Sequence, residues 1–289
     1  MKLVRDELYR FLFEHAPVRG GVVRLEATWR AVLERHGYPS PVRELLGELM
    51  AAAALLSSTL KYSGRLVLQA QGGGPVTLLV VECGHDLLMR AMASWEGEVV
   101  RGGLRELLGD GRLALTIEPD SGPRYQGIVP LEGHGIAEAL ERYMARSEQL
   151  ETRLWLAADR TRAAGLLLQR LPGQPEADDD AWNRFTHLAA TATRKELLSV
   201  PAPRLLRRLF HEEDVRLFEP RPVHFYCPCS RERVQEALRL LGRREIEALL
   251  EERGVVEVEC EFCRRGYILD QDDVAELFAA SVPAAPIRH

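Results

Sequence analysis

A chain of 289 residues and 32.5 kDa, 46% hydrophobic and 28% charged, is long enough for about two soluble domains with buried cores. That excludes wholesale disorder, a fibre and a disulfide mini-protein. With 38 basic against 43 acidic residues the formal charge is −5, so no global field draws the protein onto nucleic acid or an anionic membrane.

In chain order, residues 1–172 read as an α+β domain. Helical spacing is found over Glu7 to His15 and Ala27 to His36, and a longer helix runs from Pro41 to Leu60, with Ser40 as its N-cap and Pro41 at its first position. Arg65 to Ala70 alternates, Gly72-Gly73-Gly74-Pro75 turns the chain, and Val76 to Cys83 returns as a largely apolar strand, a hairpin signal. Further strands are expected at Leu87 to Trp95, Arg112 to Glu118, Tyr125 to Leu131, Leu154 to Ala158 and Gly165 to Leu171, interrupted by a helix from Ile136 to Gln149. Strands in runs with few intervening helices predict an antiparallel-rich sheet with helices on one face.

The pattern breaks at Leu171 to Asp180, where ten positions hold two prolines, a glycine and four acidic residues. The boundary is placed there, and residues 173–225 are expected to form a metastable linker. Helix-forming stretches at Trp182 to Thr193 and Arg204 to Phe210 are cut off by Pro201, Pro203, Pro220 and Pro222, and helices this short depend on neighbours. Residues 226–279 carry the four remaining cysteines, and 280–289 read as a frayed tail.

The opening Met1-Lys2-Leu3-Val4-Arg5-Asp6-Glu7-Leu8 lacks the apolar core of a secretory signal, and the longest apolar run, Leu49 to Leu56, is far short of a membrane span. A cytoplasmic protein is expected, in which clustered cysteines bind metal or sense oxidants rather than form a resting disulfide framework. Four of the five cysteines fall as Cys227-Pro228-Cys229 and, after 30 residues, Cys260-Glu261-Phe262-Cys263. Two close pairs separated by a helical insert suit a tetrahedral thiolate zinc site, since each turn supplies two ligands. Ser230 can cap a helix over Arg231 to Leu241, Gly242 breaks it, Glu245 to Arg253 forms a second, Gly254 ends that, and Val255 to Glu259 alternates like a strand. A unit of about 50 residues with few large apolar side chains needs the ~10–16 kcal/mol that structural zinc supplies. His224 is the alternative fourth ligand, in a site of three thiolates and one imidazole. From Tyr226 to Asp270 eight arginines face ten carboxylates, giving −2, and a zinc ion with four thiolates adds another −2, so nucleic acid is not the expected partner.

These residues are similar to the heat-shock protein 33 family of bacterial redox-regulated chaperones. Cys227-Pro228-Cys229-Ser230-Arg231-Glu232-Arg233 resembles the family's zinc-motif entry. Arg124-Tyr125-Gln126-Gly127, Leu131-Glu132-Gly133, Arg146-Ser147-Glu148-Gln149-Leu150 with Thr152-Arg153-Leu154, and Tyr38-Pro39 and Pro41 with Leu45-Leu46-Gly47-Glu48-Leu49 resemble it upstream. The likeness spans essentially the whole chain. It implies an α+β fold with an antiparallel-rich N-terminal domain, a helical linker and a small C-terminal zinc domain with four cysteine ligands. It further implies an ATP-independent holdase, not an enzyme, that is silent when reduced and zinc-bound. Oxidation activates it to hold unfolded client proteins, as a homodimer.

Thiolates bound to one zinc at about 2.3 Å lie roughly 3.8 Å apart, whereas a disulfide needs about 2.05 Å, so oxidation of Cys227, Cys229, Cys260 and Cys263 should expel the metal. Of three possible pairings, closing the short loops is favoured by about 2 kcal/mol of chain entropy. The expected disulfides are Cys260–Cys263 and Cys227–Cys229, in that order of ease. Losing the zinc unit should melt the linker and expose Trp182, Phe185, Leu188, Leu205, Leu206, Leu209, Phe210, Leu217 and Phe218, or the apolar surface beneath them. Two other readings are a constitutive interaction module whose zinc is purely structural, and a thiol oxidoreductase using Cys260 and Cys263, which lacks a thioredoxin-like context. Gly72 to Gly74 has no phosphate-loop pattern around it, His211-Glu212-Glu213 lacks the second histidine of a zinc protease, and Cys83 reads as a buried small hydrophobe.

Overall fold

The computed structural model describes residues 6–59, 63–172 and 180–279. The centre of the expected boundary, 173–179, and the expected tail, 280–289, lie outside the described residues. The chain divides into two compact units, residues 1–226 and 227–289.

The first half of the first unit contains β1 (Glu7–Phe13), β2 (Val18–Leu25), α1 (Ala27–Leu33), α2 (Ser40–Thr59), β3 (Gly64–Gln71), β4 (Val76–Gly84) and β5 (Leu88–Trp95). There follow α3 (Leu104–Leu108), β6 (Arg112–Pro119), β7 (Tyr125–Pro130), α4 (Ile136–Ser147), β8 (Thr152–Ala158) and β9 (Ala163–Arg170). The linker segment supplies α5 (Ala181–Ala190), α6 (Arg194–Ser199), α7 (Ala202–Leu209), β10 (Val215–Leu217), β11 (Arg221–Pro222) and β12 (His224–Phe225). The second unit contains α8 (Arg231–Leu241), α9 (Arg243–Arg253), β13 (Val256–Glu259), β14 (Gly266–Leu269) and α10 (Gln271–Ala279).

Two sheets enclose α2. One has the order β10-β1-β2-β9-β8 with β11 also on β1, and the other β12-β5-β4-β3-β6-β7; all pairs are antiparallel except β12 with β5. Fourteen of the twenty residues of α2 are buried, because strands of both sheets pack on it. A helix buried all round reads as an uninterrupted apolar run, and Leu49 to Leu56 is that run. Gly72 and Gly74 form the β3–β4 turn, where a Cβ would meet the Leu108 carbonyl oxygen at 1.7 Å and the Leu107 carbonyl oxygen at 2.5 Å. These glycines let α3 approach.

Within Glu7 to His15 the chain forms β1 over Glu7–Phe13 and then a turn, rather than the expected helix. Leu8 points into the core around α2, whereas Phe11 and Phe13 point into a second core on the opposite face. Burial on both faces removes the alternation that marks a strand. The same fact corrects the expectation of helices on one face only: α2 covers one side of the first sheet and α5 to α7 the other. In the second core Phe13 stacks on Phe185 with ring centroids 3.7 Å apart, and Phe210 meets Phe13 edge-on at 5.1 Å. Leu205, Leu206 and Leu209 fill the space beside them. Leu217 and Phe218, expected to be uncovered only by melting, are already exposed.

Candidate metal centre

In the second unit Leu238, Ile246, Val256, Leu269, Val274 and Leu277 form a small core. Cys227 and Cys229 immediately precede α8, whose cap Ser230 accepts the Arg233 N–H at 3.4 Å, as its sequence position predicts. Cys260 to Cys263 form the turn of the β13–β14 hairpin. The Cys260 N–H donates to the Arg265 carbonyl at 3.0 Å, the Arg264 N–H donates to the Cys260 carbonyl at 2.8 Å, and Arg264 closes the turn with a left-handed φ of 57°. Arg231, two residues after Cys229, donates to the Ile268 carbonyl at 3.0 Å and pairs with Asp273 at 2.6 Å. This ties the start of α8 to the far strand of the hairpin and brings the two cysteine pairs together.

The four sulfurs lie within 4.8 Å of one another, with Cys227 to Cys260 at 3.7 Å and Cys229 to Cys263 at 3.3 Å, all half-buried. The longer separation is close to the roughly 3.8 Å between thiolates on one tetrahedral ion. Burial pushes the Cys229 thiol up, but the Tyr267 hydroxyl facing it and the neighbouring thiols outweigh burial and hold the group at about 7. Cys263 is pushed up to about 12 by burial and by the sulfurs around it, and burial also raises Cys260. Four sulfurs so close cannot all ionise without a cation among them; with one, they form a soft donor set that fits a thiophilic metal ion. His224 is exposed in β12, its N–H bonded to the Leu87 carbonyl at 3.2 Å, and its ring contributes nothing to the sulfur group. Cys83 is fully buried, which pushes its thiol up to about 12.

A family model described as Hsp33 protein matches residues 6–270. The chain belongs to the Hsp33 family. Proteins named 33 kDa chaperonin are 52% identical over 287 residues in Nitrosococcus oceani and 49% identical over 291 in Methylobacillus flagellatus, each match covering 99% of both chains. That of Pseudomonas aeruginosa is 49% identical over 288 residues, 97% of each chain. The crystal structure of the Thermotoga maritima Hsp33 homologue superposes with a TM-score of 0.82 at 23% identity, covering 95% of this chain and 98% of that one. This establishes the shared fold, and membership of the Hsp33 family supports a chaperone role. Among the described residues, no helix is long and apolar enough to cross a membrane.

Sequence spacing identified the four sulfurs but not the groups that support them. Arg231 and Tyr267 sit among ordinary charged and strand-forming residues, and only the fold sets Arg231 against Ile268 and Asp273 and Tyr267 against Cys229.

Proposed function

We propose that the protein is an ATP-independent holdase of the cytoplasm, switched by the oxidation of Cys227, Cys229, Cys260 and Cys263. When reduced, the four thiolates hold zinc, which supplies the cross-link that the six-residue core of the second unit is too small to replace. Peroxide takes two electrons from each pair of thiolates and, with two protons per pair, leaves as water while the sulfurs join. Sulfurs joined to one another no longer serve as anionic ligands, so zinc is released. The pairs are Cys260–Cys263 and Cys227–Cys229. The second unit then unfolds, and the metastable segment 181–210 leaves the first sheet and uncovers Phe11, Phe13, Val22 and Leu166 together with its own Phe185, Leu206 and Leu209. Unfolding clients bind that surface, and the oxidised protein is a homodimer.

The observation that carries this reading is the gathering of four sulfurs within 4.8 Å of one another in a unit with so small a core. Light scattering from an unfolding client tests it. Suppression should follow peroxide treatment, with loss of one zinc and four thiols per chain, and should be absent in the reduced zinc form. Equal suppression in both states would mean a constitutive interaction module, and catalytic turnover of a small disulfide would mean an oxidoreductase.

A further inference from the structure

One polar atom of the second unit lacks an ordinary partner. The Tyr267 hydroxyl is buried and makes no hydrogen bond of normal geometry. Tyr267 lies in β14 opposite Val258, and the groups its hydroxyl interacts with are the Cys229 sulfur and the Arg265 guanidinium. Arg265 in turn interacts with Tyr267, Cys229 and Cys263. An unsatisfied buried hydroxyl costs about 1–3 kcal/mol, so a site that keeps one has a use for it. The acceptor it faces is a sulfur that becomes anionic when a metal is held, and an anionic acceptor makes a stronger hydrogen bond than a neutral one.

We infer that Tyr267 is a positioning residue of the metal centre: its hydroxyl donates to the Cys229 thiolate when the four sulfurs hold their ion, with Arg265 behind it as a compensating cation. This rests on the zinc reading above. It gives Cys229 an outer-shell partner of the kind that orients metal ligands. The hydroxyl lowers the charge density that a −2 cluster would otherwise place on that sulfur and slows its loss from the ion.

The test is Tyr267→Phe in the full reduced chain. It removes one oxygen that satisfies no ordinary hydrogen bond, so folding is not at risk. Zinc affinity is measured by competition with a chromogenic chelator, and the sulfur-to-metal charge-transfer band is recorded after cobalt(II) substitution. The expected result is zinc binding weaker by about 10- to 100-fold, the range for outer-shell losses, with the band moved to lower energy. Equal or tighter binding would overturn the inference. So would weaker binding with an unmoved band, since that signals altered packing alone. If the unsubstituted chain holds no zinc, the metal reading itself fails, and this inference with it.

Discussion

Gly47 sits within α2, where a Cβ would lie 2.4 Å from the Ala158 Cβ and 3.2 Å from the Trp29 ring. Alanine is the better helix former by about 0.5–1 kcal/mol, but overpacking a core costs about 1–3 kcal/mol. Gly47→Ala should therefore lower stability by about 1–2 kcal/mol in urea unfolding; a stabilised variant would mean that the helix shifts freely between the sheets. At the metal centre, Cys260→Ser replaces a soft donor by a hydroxyl that does not ionise near neutral pH. Stoichiometric zinc should be absent from the purified variant by elemental analysis. The four cysteines were legible because a thiolate site needs two pairs at short spacing. Tyr267 was not, because nothing in Gly266-Tyr267-Ile268-Leu269 distinguishes it from any strand tyrosine.

Between elements, α6 is fastened to α2 through Arg194, which lies 3.6 Å from Glu44 and 3.5 Å from Glu48 and also donates to the Ala158 carbonyl. Burial pushes the Glu48 carboxyl up to about 7 despite the pull of Arg194. The folded form thus holds a proton that the unfolded chain has released by about pH 4.5. The stability this group contributes is complete below that pH and is lost as pH rises through 7, with a limit on the order of 3 kcal/mol. Thermal melts should show Glu48→Gln more stable than the parent at pH 8 and nearly equal to it at pH 4.5; the opposite order would mean that the Arg194 pair outweighs burial. In α7, Leu206→Ala should cost about 2–5 kcal/mol and speed amide exchange across residues 181–210. On the proposed function it should also bring client binding without oxidant. The helices of this segment were legible from their spacing, but where they dock was not. β1 was misread for the same reason: its two faces serve different cores, so neither leaves a periodic trace.

For the molecule as a whole, the division into a large first unit with two cores and a small second unit with one predicts an unequal response to chelation. If the four cysteines hold zinc as proposed, chelating it under reducing conditions should abolish amide protection over residues 227–279 and leave β2, α2 and β9 protected. Uniform loss throughout the chain would mean that the units share one cooperative transition. Composition shifts and prolines mark segments along the chain, and the change into the cysteine-bearing unit at residue 227 falls next to the expected 226, whereas the layering of two sheets about a buried helix depends on pairings far apart in sequence.

The short strands β10 and β11 on β1 and β12 on β5, joined by the Val223 N–H donating to the Asp6 carbonyl at 3.0 Å, moor the far end of the helical segment to the same body that β9 moors at its near end. Helices that lift off between those moorings remain a closed loop, never a loose tail. On the proposed function, their effective concentration over the vacated sheet stays in the millimolar range expected of a short tether, so any client held there would compete with the returning helices.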